Sequence, residues 1–571
     1  MMYMFYNSFK LAAFMLRRER KTSAAWVLSM VLINFFILLL MGAMLMPDAA
    51  SRLEFIAMLE NPVMLAMVGP LYSMDVYTIG ALYTLMMFVF MGITVGIMNI
   101  FLVVRHTRAD EELGRYEVLR SLPIGRLSAL GAALLTAVVV NTIMAVFFAL
   151  TMWAGMHIVG AEVGFGASLL WGAGLGAVGL AFAGVAAFFG QVSSSARGAL
   201  GLSFTVMGLF YFLRAGADAS PASFGVLAFI SPLGLMSRTW VYVGNVWWPI
   251  LIIIGYALAF AALALVLCRK RDIDQGLLPS IPGRAHGGLL MKSALGLNFR
   301  LARGTIIAWV VALFITGLSY SAVLHDIENF VAGNDAYRQL ILGGTGLLEE
   351  IESQGYGIDE IVAQMNAVLG THGLSVVQLF SNMIGFFMAM MATVPMIMLI
   401  KKARTEETLY RADMIFATST SKTSYMLGLV GMAFAVAVVM QLAHALGLYV
   451  LASQTLENPA DLPLSFLLQS ALVYVPALWV IGGIAVLLVG LWPRRTGVLW
   501  VYYGFVLLVM MYARMTPGLE WLQNLTPLGF VPQLPMDEIN WLVMAALSII
   551  AFMLAGAGIF CYRRRDIGVV A

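Results

Sequence analysis

The sequence predicts an all-α polytopic membrane protein of about twelve transmembrane helices, in two parallel six-helix repeats related by a pseudo-twofold axis along the membrane normal. Three observations predict it. The 571 residues are 61% hydrophobic and 11% charged, whereas a soluble fold carries about 25% charged residues. Twelve apolar runs are long enough to cross a hydrocarbon core of roughly 30 Å. The second half of the chain also repeats marks of the first, in the same order.

Taken in order, residues 1–23 (MMYMFYNSFKLAAFMLRRERK and the two that follow) are amphipathic and basic, without the apolar core and small-residue cleavage site of a signal peptide. They predict a helix lying on the cytoplasmic interface. Six spans follow within 24–267, at about 24–46, 80–104, 128–156, 166–190, 198–216 and 246–267. Residues 268–304 hold two prolines and several glycines and read as a linker ending in a second interfacial helix. Six more spans fall within 305–561, at about 305–324, 374–400, 424–452, 464–491, 497–514 and 539–561, before a cytoplasmic tail, 562–571.

Charge placement sets the orientation. With both termini cytoplasmic, the outer side holds only Arg52, Arg214, Arg238, Arg338 and Arg514 of the 33 Lys and Arg, which is the expected inside bias of a plasma-membrane protein. Because this distribution accounts for the basic residues, the net charge of +3 points to no acidic partner, and nucleic acid is not expected. The two cysteines, Cys268 and Cys561, fall at cytoplasmic helix ends and read as reduced thiols.

The repeat rests on four sets of residues. Arg17, Arg20, Thr22, Ala25 and Trp26 recur as Arg300, Arg303, Thr305, Ala308 and Trp309. The polar segment RHTRADEELGRYEVLRSLPIGR, 105–126, recurs without a gap as KKARTEETLYRADMIFATSTSK, 401–422. SPLGL at 231–235 recurs as TPLGF at 526–530, and Arg271-Asp272-Ile273 as Arg565-Asp566-Ile567. The halves differ mainly in the first outer loop, 47–79 against 325–373. The latter is acidic, with amphipathic helices expected around 347–369, and reads either as a solvated cap or as a guard of the exit. Residues 217–245 and 515–538, too short to cross twice, predict re-entrant or interfacial hairpins.

The chemistry is defined by what is missing. No G-x-x-x-x-G-K-[ST] phosphate loop occurs, and the spans as drawn contain no Asp, Glu or Lys, which an ion relay at membrane depth needs. The energy source is therefore expected in another chain. The two charged segments then become its points of contact: Asp110, Glu111, Arg115 and Glu117 in the first, Glu406, Glu407, Arg411 and Asp413 in the second. In each, a Glu precedes an Arg by four residues, Glu111 to Arg115 and Glu407 to Arg411, a spacing that supports an exposed helix by about 0.2–0.5 kcal/mol. The plainer reading of either segment alone is a solvated loop whose arginines hold topology; their duplication with matched charges favours contact.

These features resemble the fused, twelve-span permeases of the ABC-2 class, particularly those labelled exporters of polyketide antibiotics. The resemblance implies that the short helices at 110–122 and 406–418 are coupling helices seated in grooves of two copies of a separately encoded ATP-binding subunit. ATP and its magnesium would belong to those partners, with no cofactor in this chain, and the cargo would be a hydrophobic small molecule. Tyr410 departs from the pattern at Gly114, and Ser419 from that at Pro123, which implies a looser or asymmetric second docking.

Further polar residues have two readings each. Arg214 with Tyr211, and Arg514 with Tyr512, stand at corresponding outer ends of spans five and eleven, as arginines snorkelling to headgroups or as a pair flanking an outer gate. His444 and Gln441, one turn apart in span nine, read as a helix-bridging pair rather than a substrate contact. The 39 Met suit either packing or a plastic cavity. The rival functions are an ion-coupled 6+6 carrier and, with no H-E-x-x-H or C-x-x-C motif present, a membrane enzyme or signalling scaffold.

Overall fold

The structure, a computed structural model, describes residues 2–42, 52, 56, 59, 62–72, 77–219, 225–272, 275–278, 293–321, 324, 375–456, 462–512 and 520–566. All of the acidic loop 325–373, including its expected helices, and Arg514 lie outside them. The described residues are helical without strands, and the chain divides into two compact units, Met1–Gly283 and Arg284–Ala571.

The first unit begins with α1 (Ser8–Leu40), continued by α2 (Pro62–Val68), α3 (Ile79–His106), α4 (Arg108–Glu112), α5 (Arg115–Arg120), α6 (Ser128–Ile158), α7 (Phe165–Val192), α8 (Ala196–Ala219), α9 (Pro232–Ser237) and α10 (Trp248–Lys270). Helix α1 is continuous through residue 23, so the basic, amphipathic stretch and the apolar span form one rod rather than an interfacial helix and a separate crossing. Leu11, Ala12 and Met15 of its first part are buried against Ala129, Ala132 and Ala133 of α6, with Tyr116 and Leu119 of α5 packed onto the same cluster. Helix α7 is central, packing on α3, α6 and α10, while α1 packs on α6. A Cβ on Gly172 would stand 2.1 Å from the Ala145 carbonyl oxygen, so the α6–α7 approach requires a small residue, as tight helix pairs in membranes do. Several polar side chains in this core satisfy one another. Asn99 and Asn141 exchange amide bonds of 3.0 and 2.6 Å, and Tyr83 donates to Asn34.

The second unit comprises α11 (Ala294–Ser321), α12 (Val376–Thr408), α13 (Arg411–Phe416), α14 (Lys422–Thr455), α15 (Leu464–Leu472), α16 (Val475–Leu491), α17 (Val498–Tyr512) and α18 (Trp541–Arg564). Helix α14 packs on α11 and α12, and α16 on α12 and α18. Gly317 and Gly447 permit the first of these contacts, since Cβ atoms there would lie 2.5 and 2.2 Å from carbonyl oxygens of His444 and Phe314. Gln441 and His444 are buried, but neither polar atom of the Gln441 amide has a hydrogen-bond partner, nor does His444 Nδ1. The expected helix-bridging pair is not formed.

Eleven helices of the described residues are long and apolar enough to cross a membrane, which makes this a multi-pass membrane protein. The expected span at 497–514 is represented by the 15 residues of α17, with residues 513 and 514 outside the description. The span at 464–491 contains a break before α16, whose second residue is Pro476, a position where proline costs no helical hydrogen bond. Between fifth and sixth spans, the repeated Ser/Thr-Pro-Leu-Gly has a local cause. Ser231 Oγ accepts from Gly234 N at 3.4 Å and Thr526 Oγ1 from Gly529 N at 3.2 Å, each an N-cap followed by proline. Each glycine is pressed against a carbonyl, so that a Cβ would come within 2.2 Å of the oxygen of Ala228 or Gln523.

Candidate functional site

The two charged segments are not the single helices that their sequences predict. After α3, the chain forms α4, turns at Leu113 and Gly114, and restarts as α5. Gly114 has φ 69°, a left-handed conformation that ends one helix and starts the next. In the second segment, Glu406 and Glu407 lie within the last turn of α12, Tyr410 takes φ 56°, and α13 restarts at Arg411. Tyrosine thus adopts the conformation that glycine supplies in the first copy, so the departure in sequence leaves the turn intact.

This break changes the ion pairs. Glu111 and Arg115 lie on different helices, and the expected four-residue pair does not form; Arg115 reaches Asp110 instead, at 3.0 Å. Arg411 is likewise directed to Glu406, at 3.9 Å. Glu111 accepts from Arg108 at 3.0 Å and from both terminal nitrogens of Arg271 at 2.9 and 2.5 Å. Glu407 accepts from Arg404 at 3.0 Å and from Arg565. Asp110 also takes a 2.8 Å contact from Arg18 of α1, and Glu19, itself buried, stands 3.2 Å from Arg105 and 3.4 Å from His106.

The eight predicted contact residues therefore sort into two groups. Asp110, Glu111, Glu406 and Glu407 are buried and occupied inside their own unit. Arg115, Glu117, Arg411 and Asp413 are exposed. Between these exposed charges stand apolar side chains that charge patterning alone misses: Leu113, Val118 and Leu122 at 50%, 70% and 55% exposure, and Leu409, Tyr410 and Met414 at 38%, 60% and 67%. The opposite faces are anchored, through Tyr116 and Leu119 in the first unit and Ala412, Ile415 and Phe416 in the second. Each short helix presents an apolar knob ringed by charge. No periodicity marks these residues, since Leu113 stands in the turn before α5 and Leu122 two residues beyond its end.

At the C-terminal end of α8, Arg214 is fully buried and does not snorkel. It donates to the carbonyl oxygens of Ala66 and Met67, stands over the Tyr211 ring at 5.1 Å and pairs with Asp218 at 3.3 Å. Asp218 accepts from Arg238 as well, at 2.8 Å. The helix runs three residues past the expected span end, and so carries a carboxylate that the span as drawn excludes; two guanidinium groups balance it. Burial, reinforced by Tyr77 and Asp218, holds the nearby Tyr72 phenol above its ordinary range, so it remains neutral. The adjoining recess, lined by Gly69, Tyr72, Thr84, Phe88 and Ser237 among others, has no room for a water molecule. The tyrosine and arginine expected to form the matching pair, Tyr512 and Arg514, are not both within the description.

Many apolar membrane-length helices, with charged segments whose ends are locked into the helix bundle, define an all-α polytopic membrane protein. A family model described as multidrug efflux system permease Rv1217c, C-terminal domain, matches residues 291–369 and 348–563. The chain is 29% identical over 556 residues, 97% of its length and 94% of the relative's, to the multidrug efflux system permease protein Rv1217c of Mycobacterium tuberculosis (strain ATCC 25618 / H37Rv). Over nearly its whole length the chain is thus similar to a permease of the efflux type.

Proposed function

We propose that this chain is the membrane subunit of an ATP-driven exporter in a bacterial plasma membrane. It would carry hydrophobic or amphipathic drug-like compounds outward; the relative's name describes multidrug efflux for that protein. Two copies of a separate ATP-binding subunit dock on α5 and α13 from the cytoplasm, and ATP and magnesium act there, while this chain supplies the path. The observation that carries the reading is the pair of short helices, each anchored on one face and bearing an exposed apolar residue, Val118 or Met414, beside an exposed carboxylate, Glu117 or Asp413. An anchored helix with an unoccupied apolar outer face is built to be gripped from outside. ATP binding then moves both docking helices and, through them, tilts the two halves.

Two measurements test this. Expressed with the reading frames that neighbour it, the protein is expected to copurify with a phosphate-loop ATPase, and its repeated absence rejects the proposal. In inverted vesicles, uptake of a fluorescent drug should require ATP. Uptake driven by an ion gradient alone would establish the carrier reading instead.

A further inference from the structure

We infer that Arg271 and Arg565 are positioning residues that fasten each short docking helix to the end of the last span of its own unit. The inference rests on the docking role proposed above. It gives a purpose to the repeated Arg-Asp-Ile, which follows α10 and α18 and which docking alone does not explain.

A helix of six residues is marginal by itself, and α5 is joined to the bundle covalently through α4 to α3 and through 121–127 to α6. A force applied to it from outside would be lost in unwinding these connections unless both ends were held. Both ends are held, and by the same residue. Ahead of α5, the Arg271 guanidinium grips the Glu111 carboxylate through two parallel bonds of 2.9 and 2.5 Å, the strongest and most directional geometry available to such a pair. Beyond α5, Arg126 Nη2 donates to the Arg271 carbonyl oxygen at 2.8 Å. Arg271 Nε also donates to Gln191 at the end of α7, at 2.7 Å.

The second unit repeats the device with different residues. Arg565 holds Glu407 ahead of α13, and Lys422 Nζ, beyond it, donates to the Arg565 carbonyl oxygen at 2.8 Å. Arg565 Nη1 reaches the Val489 carbonyl oxygen near the end of α16, at 3.3 Å. The carboxylates retain 5% exposure each, and the Arg271 and Arg565 side chains 10% and 19%, so water competes little for these bonds. A displacement of α5 or α13 therefore reaches α10 and α7, or α18 and α16, and not only the span that precedes it.

The test uses the complex purified with its ATPase. Arg271→Gln with Arg565→Gln should keep the ATPase bound and its hydrolysis near wild type, while drug transported per ATP falls about tenfold or more, the scale of losing a charge-assisted hydrogen bond. Arg271→Lys with Arg565→Lys, which retains the charge and loses the fork, should fall between and guards against a Gln variant that fails to fold. In a Cys268→Ser, Cys561→Ser background, joining Glu111→Cys to Arg271→Cys and Glu407→Cys to Arg565→Cys with a bis-maleimide of about the length of an arginine side chain should restore transport per ATP. A loss of yield alone would not be repaired by the bridge. Unchanged transport per ATP in both the Gln and Lys pairs, or a bridge that leaves the protein uncoupled, overturns the inference. Absence of the ATPase from the wild-type preparation overturns the docking reading, and the inference with it.

Discussion

The segments 105–126 and 401–422 share an outline and differ in support. Both place an acidic residue against an arginine that follows the last span, both turn through a left-handed residue, and both expose an apolar side chain on the short helix. The first is also tied to the N-terminal helix of its unit by ion pairs, from Arg18 to Asp110 and from Glu19 to Arg105 and His106. The positions matching Arg18 and Glu19 in the second unit are Leu301 and Ala302, which have no charge to offer, and Glu406 is left with Arg411 at 3.9 Å. The tie to the last span is common to the two units, whereas the ion pairs made at positions 18 and 19 have no charged counterpart at 301 and 302. The asymmetry thus lies in what stands behind the short helices rather than in their turns.

The largest expected effect tests what they have in common. Val118→Asp with Met414→Asp puts a charge on each exposed knob without touching a buried contact, so the yield and melting temperature of the permease should hold. Recovery of the ATPase should fall by about 30-fold or more, as for loss of an interface anchor. Equal recovery would show that docking uses another surface. Either single variant should leave partial binding, and if Met414→Asp alone is the milder, the first segment is the principal grip.

The next effect measures the difference between them. Asp110 is 4% exposed and joined to two arginines, so Asp110→Asn weakens two charge-assisted bonds and should destabilise the first unit by about 1.5–3 kcal/mol. Glu406→Gln breaks a long contact to an Arg411 that is half exposed, a surface pair worth about 0–1 kcal/mol. Thermal unfolding in detergent should separate the two variants by several degrees; equal midpoints would mean that α1 does not support the first segment.

Why these partners are hidden from the sequence is a matter of distance and of one dihedral angle. The apolar runs, the duplicated marks and the acidic and basic residue types are all local, and so the all-α membrane class is legible. The Ser/Thr-Pro-Leu-Gly motif is legible as a mark, and its cause, a hydroxyl cap above a crowded glycine, is not. Glu111 is 160 positions from Arg271, and no periodicity connects them. The spacing from Glu111 to Arg115 is misleading because it assumes one helix across Gly114. Arg214 reads as a surface arginine only while Asp218, just past the expected span end, is left out. In each case the error lies in where a helix stops.

The smallest effect isolates that dihedral angle. A Cβ on Gly114 would meet nothing within 4 Å, so Gly114→Ala adds no clash and its cost is the backbone's alone, about 1 kcal/mol for a left-handed residue. Tyr410 already bears that cost at φ 56°, and its ring is 60% exposed, so little packing is lost on its removal. Tyr410→Gly should therefore relieve strain, offset in part by the greater freedom of glycine in the unfolded chain, and change stability by less than about 1 kcal/mol. The pair of midpoints gives the comparison: Gly114→Ala lower than wild type, Tyr410→Gly level or slightly higher. If Tyr410→Gly also weakens ATPase recovery while its midpoint holds, the tyrosine ring is part of the docking surface, and the sequence departure at this position has been retained for contact rather than tolerated by the turn.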